Sequence, residues 1–278
     1  MQRGTEAPVE GPRTSSRPDR SGVPASAEPT IAVAGLSHSF ATLRVIERLE
    51  LEIAAGEVVG LVGPSGCGKS TLLELVAGLL EPTAGTLRVG DQSTTSGRLA
   101  QCAYMPQRDL LLPWLAAIDN AALAPRNRGA SRAEARAEAA PLFDRFGLVG
   151  FELARPAELS GGMRQRVAFL RTLLAGKPVL LLDEPFASLD AITRAEMQEW
   201  LAGALVTQAR SAVLVSHDVE EALYLCDRVL VLSSRPAVVV AELAAPSPRA
   251  LPRNQVVADP AFVALRERAL WALQERRR

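Results

Sequence analysis

Lysine is nearly absent from this 278-residue chain, which keeps only Lys69 and Lys177. Arginine takes its place elsewhere, a genomic bias in composition, so each surviving lysine can be weighed on its own. Histidine is as scarce, with His38 and His217 alone. Cys67, Cys102 and Cys226 form an odd set without metal-type spacing, which argues against a disulfide framework and fits reduced thiols. Neither charge is in excess, since 31 Lys and Arg balance 31 Asp and Glu. A nucleic-acid binder usually shows a basic stripe, and beyond the solvated run Arg276-Arg277-Arg278 none is present. Long apolar runs are missing too. Segments 179–182, 213–215 and 229–232 are strand-length, far short of the roughly 18 residues that a spanning helix needs. The opening Met1-Gln2-Arg3-Gly4-Thr5-Glu6 lacks the basic-then-apolar order of a secretory signal. The chain is therefore expected in the cytoplasm, and work at a membrane requires a partner that supplies the spans.

What is present is a large apolar fraction, 48% of residues, enough to bury a sizeable core. Residues 1–29 are rich in Pro, Ser, Gly, Arg and Glu without apolar period, and are expected to form a disordered arm. Segments 31–33, 49–53, 58–62 and 87–89 have strand patterning, and 69–80 has helical spacing. From about 114 to 174 the pattern turns helical, with Ser131 as an N-cap and Gly147 as a stop. Strands return at 179–182, 212–215 and 229–232, separated by helices near 194–206 and 219–225. Such runs suit buried parallel strands. A linker at 246–252 and an amphipathic piece at 260–273 follow, which gives one main domain over 30–245 and a C-terminal segment over 246–278. No internal repeat is visible.

Three groups of residues carry chemistry. Gly63-Pro64-Ser65-Gly66-Cys67-Gly68-Lys69-Ser70-Thr71 matches a phosphate-binding loop and stands between a strand and a helix, the context that such a loop requires. Its glycines let backbone N–H groups converge on phosphate oxygens, Lys69 neutralises β- and γ-phosphates, and Ser70 can ligate Mg²⁺. The apolar run 179–182 ends in Asp183-Glu184, at the strand end where α/β ligand sites form. Asp183 is expected to hold Mg²⁺ and Glu184 to orient or deprotonate the attacking water. Between them, Leu159-Ser160-Gly161-Gly162-Met163-Arg164-Gln165-Arg166 places a serine and two glycines at a helix start able to bind an anion.

A Ser-Gly-Gly turn between a phosphate loop and an acidic strand resembles one family, the ABC ATPases, and residues 30–236 look like its nucleotide-binding subunit. The resemblance implies an α/β fold of the P-loop NTPase class, with a mostly parallel core sheet, an antiparallel β subdomain and an inserted helical subdomain. It implies that Phe40, read as an aromatic ahead of a strand, stacks on adenine, with core packing as the alternative. Gln107 would reach Mg²⁺ and the γ-phosphate. Ser188-Leu189-Asp190 would cross a dimer interface, and His217 would contact the γ-phosphate. For His217 the plainer alternative is a loop residue that caps the next helix, a task for which Ser216 is better suited. Ser160, Gly161 and Gly162 would close on ATP held by a second copy, packed head to tail. Met163 departs from the glutamine that many members carry.

Leu111-Leu112-Pro113-Trp114 with Asp119-Asn120, the stretch from Phe186 to Arg194 with Met197-Gln198, and Ser234-Arg235-Pro236 look like the nitrate/sulfonate/taurine import subfamily, which also handles thiamine precursors. On that resemblance Leu111, Leu112 and Trp114 would line a groove for a permease, with ordinary core packing as the alternative for Trp114. The implied protein is a homodimeric importer ATPase on the inner face of the plasma membrane, served indirectly by an external solute-binding protein. The competing class is a non-transport ABC ATPase acting on nucleic acid, such as a repair clamp or translation factor. Long heptad insertions or a duplicated ATPase would mark that class, and neither is present.

Overall fold

The computed structural model describes residues 30–208, 210–245 and 251–275. The arm expected at 1–29, most of the linker expected at 246–252 and the terminal arginines lie outside them. The chain opens with β1 (Ile31–Phe40), β2 (Leu43–Ile53), β3 (Val58–Val62), α1 (Lys69–Ala77), β4 (Ala84–Val89), α2 (Thr95–Gln101) and β5 (Cys102–Met105). A helical stretch follows: α3 (Ala117–Ala121), α4 (Leu123–Asn127), α5 (Arg132–Arg145) and α6 (Gly161–Leu173). Strands and helices then alternate as β6 (Val179–Asp183), α7 (Ala191–Gln208), β7 (Ser211–Val215), α8 (Val219–Leu225), β8 (Arg228–Leu232) and β9 (Val239–Ala244), before α9 (Arg253–Val257) and α10 (Pro260–Glu275).

Six strands form one sheet in the order β5-β6-β7-β3-β8-β9, parallel except for β9, and β2-β1-β4 form a separate antiparallel sheet. Buried parallel strands must satisfy two faces at once, and the side-chain alternation does this residue by residue. Val58 and Val62 of β3 enter one core with Leu180, Leu182, Ala212 and Leu214, while Val59 and Leu61 enter the other with Val179, Leu181, Val213 and Val215. The second core also takes Ile31, Val33, Leu36 and the buried face of α1, so the antiparallel sheet lies on that side. The first takes Phe143, Phe146, Phe169 and Phe186, and Val256, Phe262 and Ala269 bring α9 and α10 onto it.

Local chemistry accounts for the helix boundaries. Ser131 caps α5 in a full capping box with Glu134, and Gly147 takes φ 57° just past its end. The strands at the start are longer than their apolar segments. β1 reaches Phe40 through register shifts after Val33 and Leu36, with Gly35 at φ 60°, so its inward positions do not keep period two. Phe40 is the last residue of β1 and stands just ahead of β2, which begins at Leu43. Four elements exceed the sequence reading: α2, seven residues with no apolar period; β5, only four residues long; β9, at the sheet edge; and the five-residue α9.

Candidate functional site

The four neighbouring parallel strands β5, β6, β7 and β3 all end at the same edge of the sheet, and each is followed by a loop that carries site residues. Gln107 follows β5, Asp183-Glu184 closes β6, Ser216-His217-Asp218 follows β7, and the phosphate loop follows β3. Loops at the carboxyl ends of parallel strands are where such sheets bind ligands.

In the phosphate loop Gly66 and Gly68 have φ 73° and 121°, values that side chains strain to adopt. Gly68 is also crowded by β2, because a Cβ there would stand 2.8 Å from Val45 Cγ1. α1 begins at Lys69 with no side-chain cap and no acidic residue in its first turn, so its leading N–H groups remain open to an anion. Lys69 is buried and its ammonium donates to the carbonyls of Gly63 at 2.8 Å and Pro64 at 3.0 Å. Cys67 is buried beside it, its Sγ 3.9 Å from Nζ.

Asp183 is 2% exposed. Burial pushes its carboxyl up from the ordinary value, the Ser70 hydroxyl bonded to it pulls it down, and the nearby Glu184 carboxylate pushes it up again. Two adjacent carboxylates in a poorly solvated corner create demand for positive charge. Among the described residues no group of three or more His, Cys, Asp or Glu makes an all-protein metal cage. Ser70, bonded to Asp183, and Gln107 beyond β5 are the residues that could hold a Mg²⁺ here.

Glu184 has φ 50°, and its backbone N–H donates to Val215 O at 3.0 Å. A non-glycine residue in the left-handed region costs about 1–2 kcal/mol, strain of the kind concentrated at functional sites. Its side chain gathers two of the predicted residues. Gln107 Nε2 donates to Glu184 Oε2 at 2.9 Å, and His217 Nδ1 lies 3.6 Å from the same oxygen. Neither Ser216 nor His217 caps α8. Asp218 does, its carboxylate accepting from the amides of Glu220 and Glu221, while Ser216 Oγ accepts from Asp218 N. His217, its side chain 60% exposed, is left free of a capping role.

The Ser160 turn stands apart from the phosphate loop. Ser160 caps α6 by accepting from Met163 N at 3.2 Å. Met163 thus contributes its backbone to the turn, and its side chain packs on the first core. Gly162 lies under the segment after β6, where a Cβ would meet Leu189 Cδ2 at 3.3 Å and Ser188 O at 3.5 Å. Asp190 starts α7, accepting from the amides of Ile192 and Thr193 at 3.1 Å each, and the Thr193 amide holds its carboxyl below the ordinary value. Phe40 is 46% exposed, with its ring set against the edge of His38 at a centroid distance of 4.7 Å. The β1–β2 hairpin that carries it also brings Val45 to Gly68.

Sequence reasoning missed Gln165. It is buried, and its amide donates to the carbonyls of Glu184 at 3.4 Å and Pro185 at 3.3 Å, tying α6 to the turn after β6. A signal was available. Gln165, Phe169 and Thr172 lie four and seven residues apart on one helical face, and an amide on an apolar face needs a partner. Asp109 was missed as well: it pairs with Arg164 at 3.0 Å and its carbonyl accepts from Arg171 at 2.7 Å, which fixes the segment after Gln107 to α6. Trp114 is 67% exposed and so is not core, whereas Leu111 is buried.

Comparison with known proteins agrees with this geometry. The ABC transporter family model matches residues 46–187. The formylaminopyrimidine import ATP-binding protein ThiZ of Halalkalibacterium halodurans is 46% identical over 192 residues, 69% of this chain and 74% of that protein. The taurine import ATP-binding protein TauB of Yersinia pestis is 38% identical over 249 residues, 88% of this chain and 97% of its own length. Among solved structures, the dimeric post-hydrolysis state of the ATP-binding cassette MJ0796, bound to ADP and Pi, superposes with a TM-score of 0.71 at 27% identity, covering 77% of this chain and 98% of that one. A phosphate loop and an acidic strand end on one such sheet and a capped Ser-Gly-Gly turn at the start of α6, together with these matches, place the chain in the ABC transporter family as an ATP-binding subunit.

Proposed function

We propose that the chain is the ATP-hydrolysing subunit of an importer, working as a head-to-tail homodimer beneath separate permease subunits on the inner face of the plasma membrane. The solute would be of the nitrate, sulfonate, taurine or thiamine-precursor type. The import names of ThiZ and TauB support uptake over action on nucleic acid. No helix among the described residues is long and apolar enough to cross a membrane, so the path for the solute belongs to a partner. Exposed Trp114, Leu110, Phe151 and Leu153 offer that partner an apolar surface, and residues 152 and 154 are hydrogen-bonded to the start of α3, just after Trp114.

The observation that carries the enzymatic reading is the meeting of Gln107 and His217 at the Glu184 carboxylate, at the strand edge shared with the phosphate loop. In this reading Phe40 stacks on adenine while the loop N–H groups, with Cys67 and Thr71 in the same turn, cradle the phosphates. Lys69 leaves its carbonyl partners for the β- and γ-phosphate oxygens. Ser70, Asp183 and Gln107 hold Mg²⁺, which supplies further neutralisation of phosphate charge when bound. Glu184 accepts a proton from, or orients, the attacking water, with its carboxylate aimed by Gln107. His217 contacts the γ-phosphate. Ser160, Gly161 and Gly162 of the second copy complete the phosphate shell, and Asp190 lies at the joint between copies.

Glu184→Gln tests this. The substitution keeps size and removes the base, so ATP binding should persist while turnover falls by about 10²–10⁴-fold, the usual worth of a general base. Turnover within threefold of the unsubstituted chain would remove Glu184 from the mechanism.

A further inference from the structure

One buried carboxylate close to the site has no part in the chemistry above. Glu221 is 4% exposed on α8, four residues past His217, and shares a small cleft with Glu184, Ser216, His217 and Arg194. Its carboxylate accepts from Gln198 Nε2 at 2.9 Å and is also bonded to the Ser216 hydroxyl. Gln198, 1% exposed on α7, uses its oxygen to accept from Arg253 Nε at 2.9 Å. Arg253 opens α9 and is held in place by its backbone N–H donating to Glu199 at 3.0 Å and by a salt bridge to Glu220. An unbroken polar chain therefore runs from the C-terminal helices through Gln198 and Glu221 to the residue beside His217.

We propose that Glu221 is a positioning residue for His217, and that Arg253 sets it through Gln198, giving the C-terminal helices a hold on the ATPase site. This rests on the reading that His217 acts at the γ-phosphate.

Three physical points carry the proposal. Ser216 directly follows β7, and its N–H is bonded to Leu61 O at 3.2 Å, so its backbone is fixed to the strand that feeds the phosphate loop. Its hydroxyl accepts from Asp218 N and bonds Glu221, spanning the loop on which His217 sits. Among the described residues the contact that orients the His217 ring is its 3.6 Å approach to Glu184, so the loop backbone decides where the imidazole points. A carboxylate buried this deeply is expensive unless fully bonded. Burial pushes the Glu221 carboxyl up to about 7 against the pull of Ser216 and Gln198, so loss of a donor from Gln198 destabilises this arrangement in particular.

The test uses the full chain with Arg253→Gln, Arg253→Lys and Glu221→Gln, each alone and combined with His217→Ala. Arg253→Gln and Glu221→Gln should each lower kcat about tenfold, below the ~10²-fold that a 1 Å misplacement can cost, with KM for ATP within about twofold. Arg253→Lys, which can still donate to Gln198, should restore most of the loss. Combined with His217→Ala, neither substitution should add a further decrease in single-turnover rate. With only two histidines in the chain, the imidazole carbon–proton resonance of His217 is assigned by its loss in His217→Ala, and it should shift in both single variants. Full turnover in Glu221→Gln, an unmoved His217 resonance or multiplicative losses in the double variants would each overturn the positioning role while leaving the ATPase reading intact. Unchanged turnover in His217→Ala alone would instead overturn the site reading and this proposal with it.

Discussion

Asn120 shows how one buried amide can hold the exposed turn proposed above to face the permease. It is fully buried at the middle of α3, accepting from Leu112 N at 2.7 Å and donating toward the carbonyls of Leu112, Leu115 and Ala116 at 3.1, 3.2 and 3.2 Å. Those residues bracket exposed Trp114, so the turn that presents the indole is held by this side chain. An amide has two hydrogens to give, so three carbonyls share two donor bonds and the accepted bond makes three; at about 1 kcal/mol each that is about 3 kcal/mol. Water reaches half-buried Leu112 once the amide is gone and returns part of this, leaving about 2 kcal/mol for Asn120→Ala. The loss should appear as local opening of the 111–116 turn, raising amide exchange at Leu112 about 30-fold. Basal ATP turnover should stay within twofold, because Asn120 touches no site residue, while stimulation of turnover by the permease should be lost. Exchange at Leu112 changed by less than threefold would refute the claim that Asn120 organises the turn.

Gly78 ends α1 at φ 77°, and a Cβ there would come within 2.2 Å of Thr95 O, so Gly78→Ala should cost about 3 kcal/mol or more through backbone strain and displacement of α2, read as a lower urea midpoint. Asp119 is bonded by Arg136 and Arg132, which hold its carboxyl well below the ordinary value. A depressed folded-state pKa gives stability that is present above the unfolded value of about 3.9 and is lost as pH falls through the folded one. Asp119→Asn should therefore cost about 2 kcal/mol at pH 7, discounted for the exposure of Arg132, and progressively less below pH 4. A constant penalty between pH 7 and pH 2 would refute that account. Ser160→Arg should leave ATP binding by single chains intact and abolish ATP-dependent dimerisation and turnover, as followed by light scattering and phosphate release; normal cooperative hydrolysis would refute a site shared between copies.

The parts of the site legible in the sequence are those whose chemistry is local. A phosphate loop needs glycines and a lysine at fixed intervals, and the β6 run announces a buried strand that must end where Asp183-Glu184 begins. The Ser131 cap is equally local. The residues that escaped are polar groups whose partners lie far along the chain. Gln165 answers the Glu184 and Pro185 carbonyls, and Glu221 meets Gln198 on another helix. No window of sequence contains both members of such a pair. Asp218 was within reach, because Asp218 followed three residues later by Glu221 has the spacing of a helix start, and weighing it would have freed both Ser216 and His217 from capping. β5 and α2 were lost for a different reason: four residues are too few to establish a period, and the seven of α2 are held by the Thr94 cap and the buried Arg98 rather than by an apolar face.

The same contacts explain why a head-to-tail pair would act as a unit. In such a pair the Ser160 turn binds phosphate on the other copy, yet α6 is joined to the turn after its own β6 by Gln165, and Gly162 lies against Leu189 and Ser188 immediately after Glu184. Close packing leaves little slack: a Cβ at Gly162 would already press on Leu189 Cδ2 at 3.3 Å, so a shift of α6 is felt directly by the 184–190 segment. That segment includes Glu184 in its left-handed conformation, where modest changes in φ and ψ swing the carboxylate relative to Gln107 and His217. On the reading proposed above, engagement of one copy's turn with the other's nucleotide would thereby be tied to the placement of its own Glu184, and each site would be completed only when the other is.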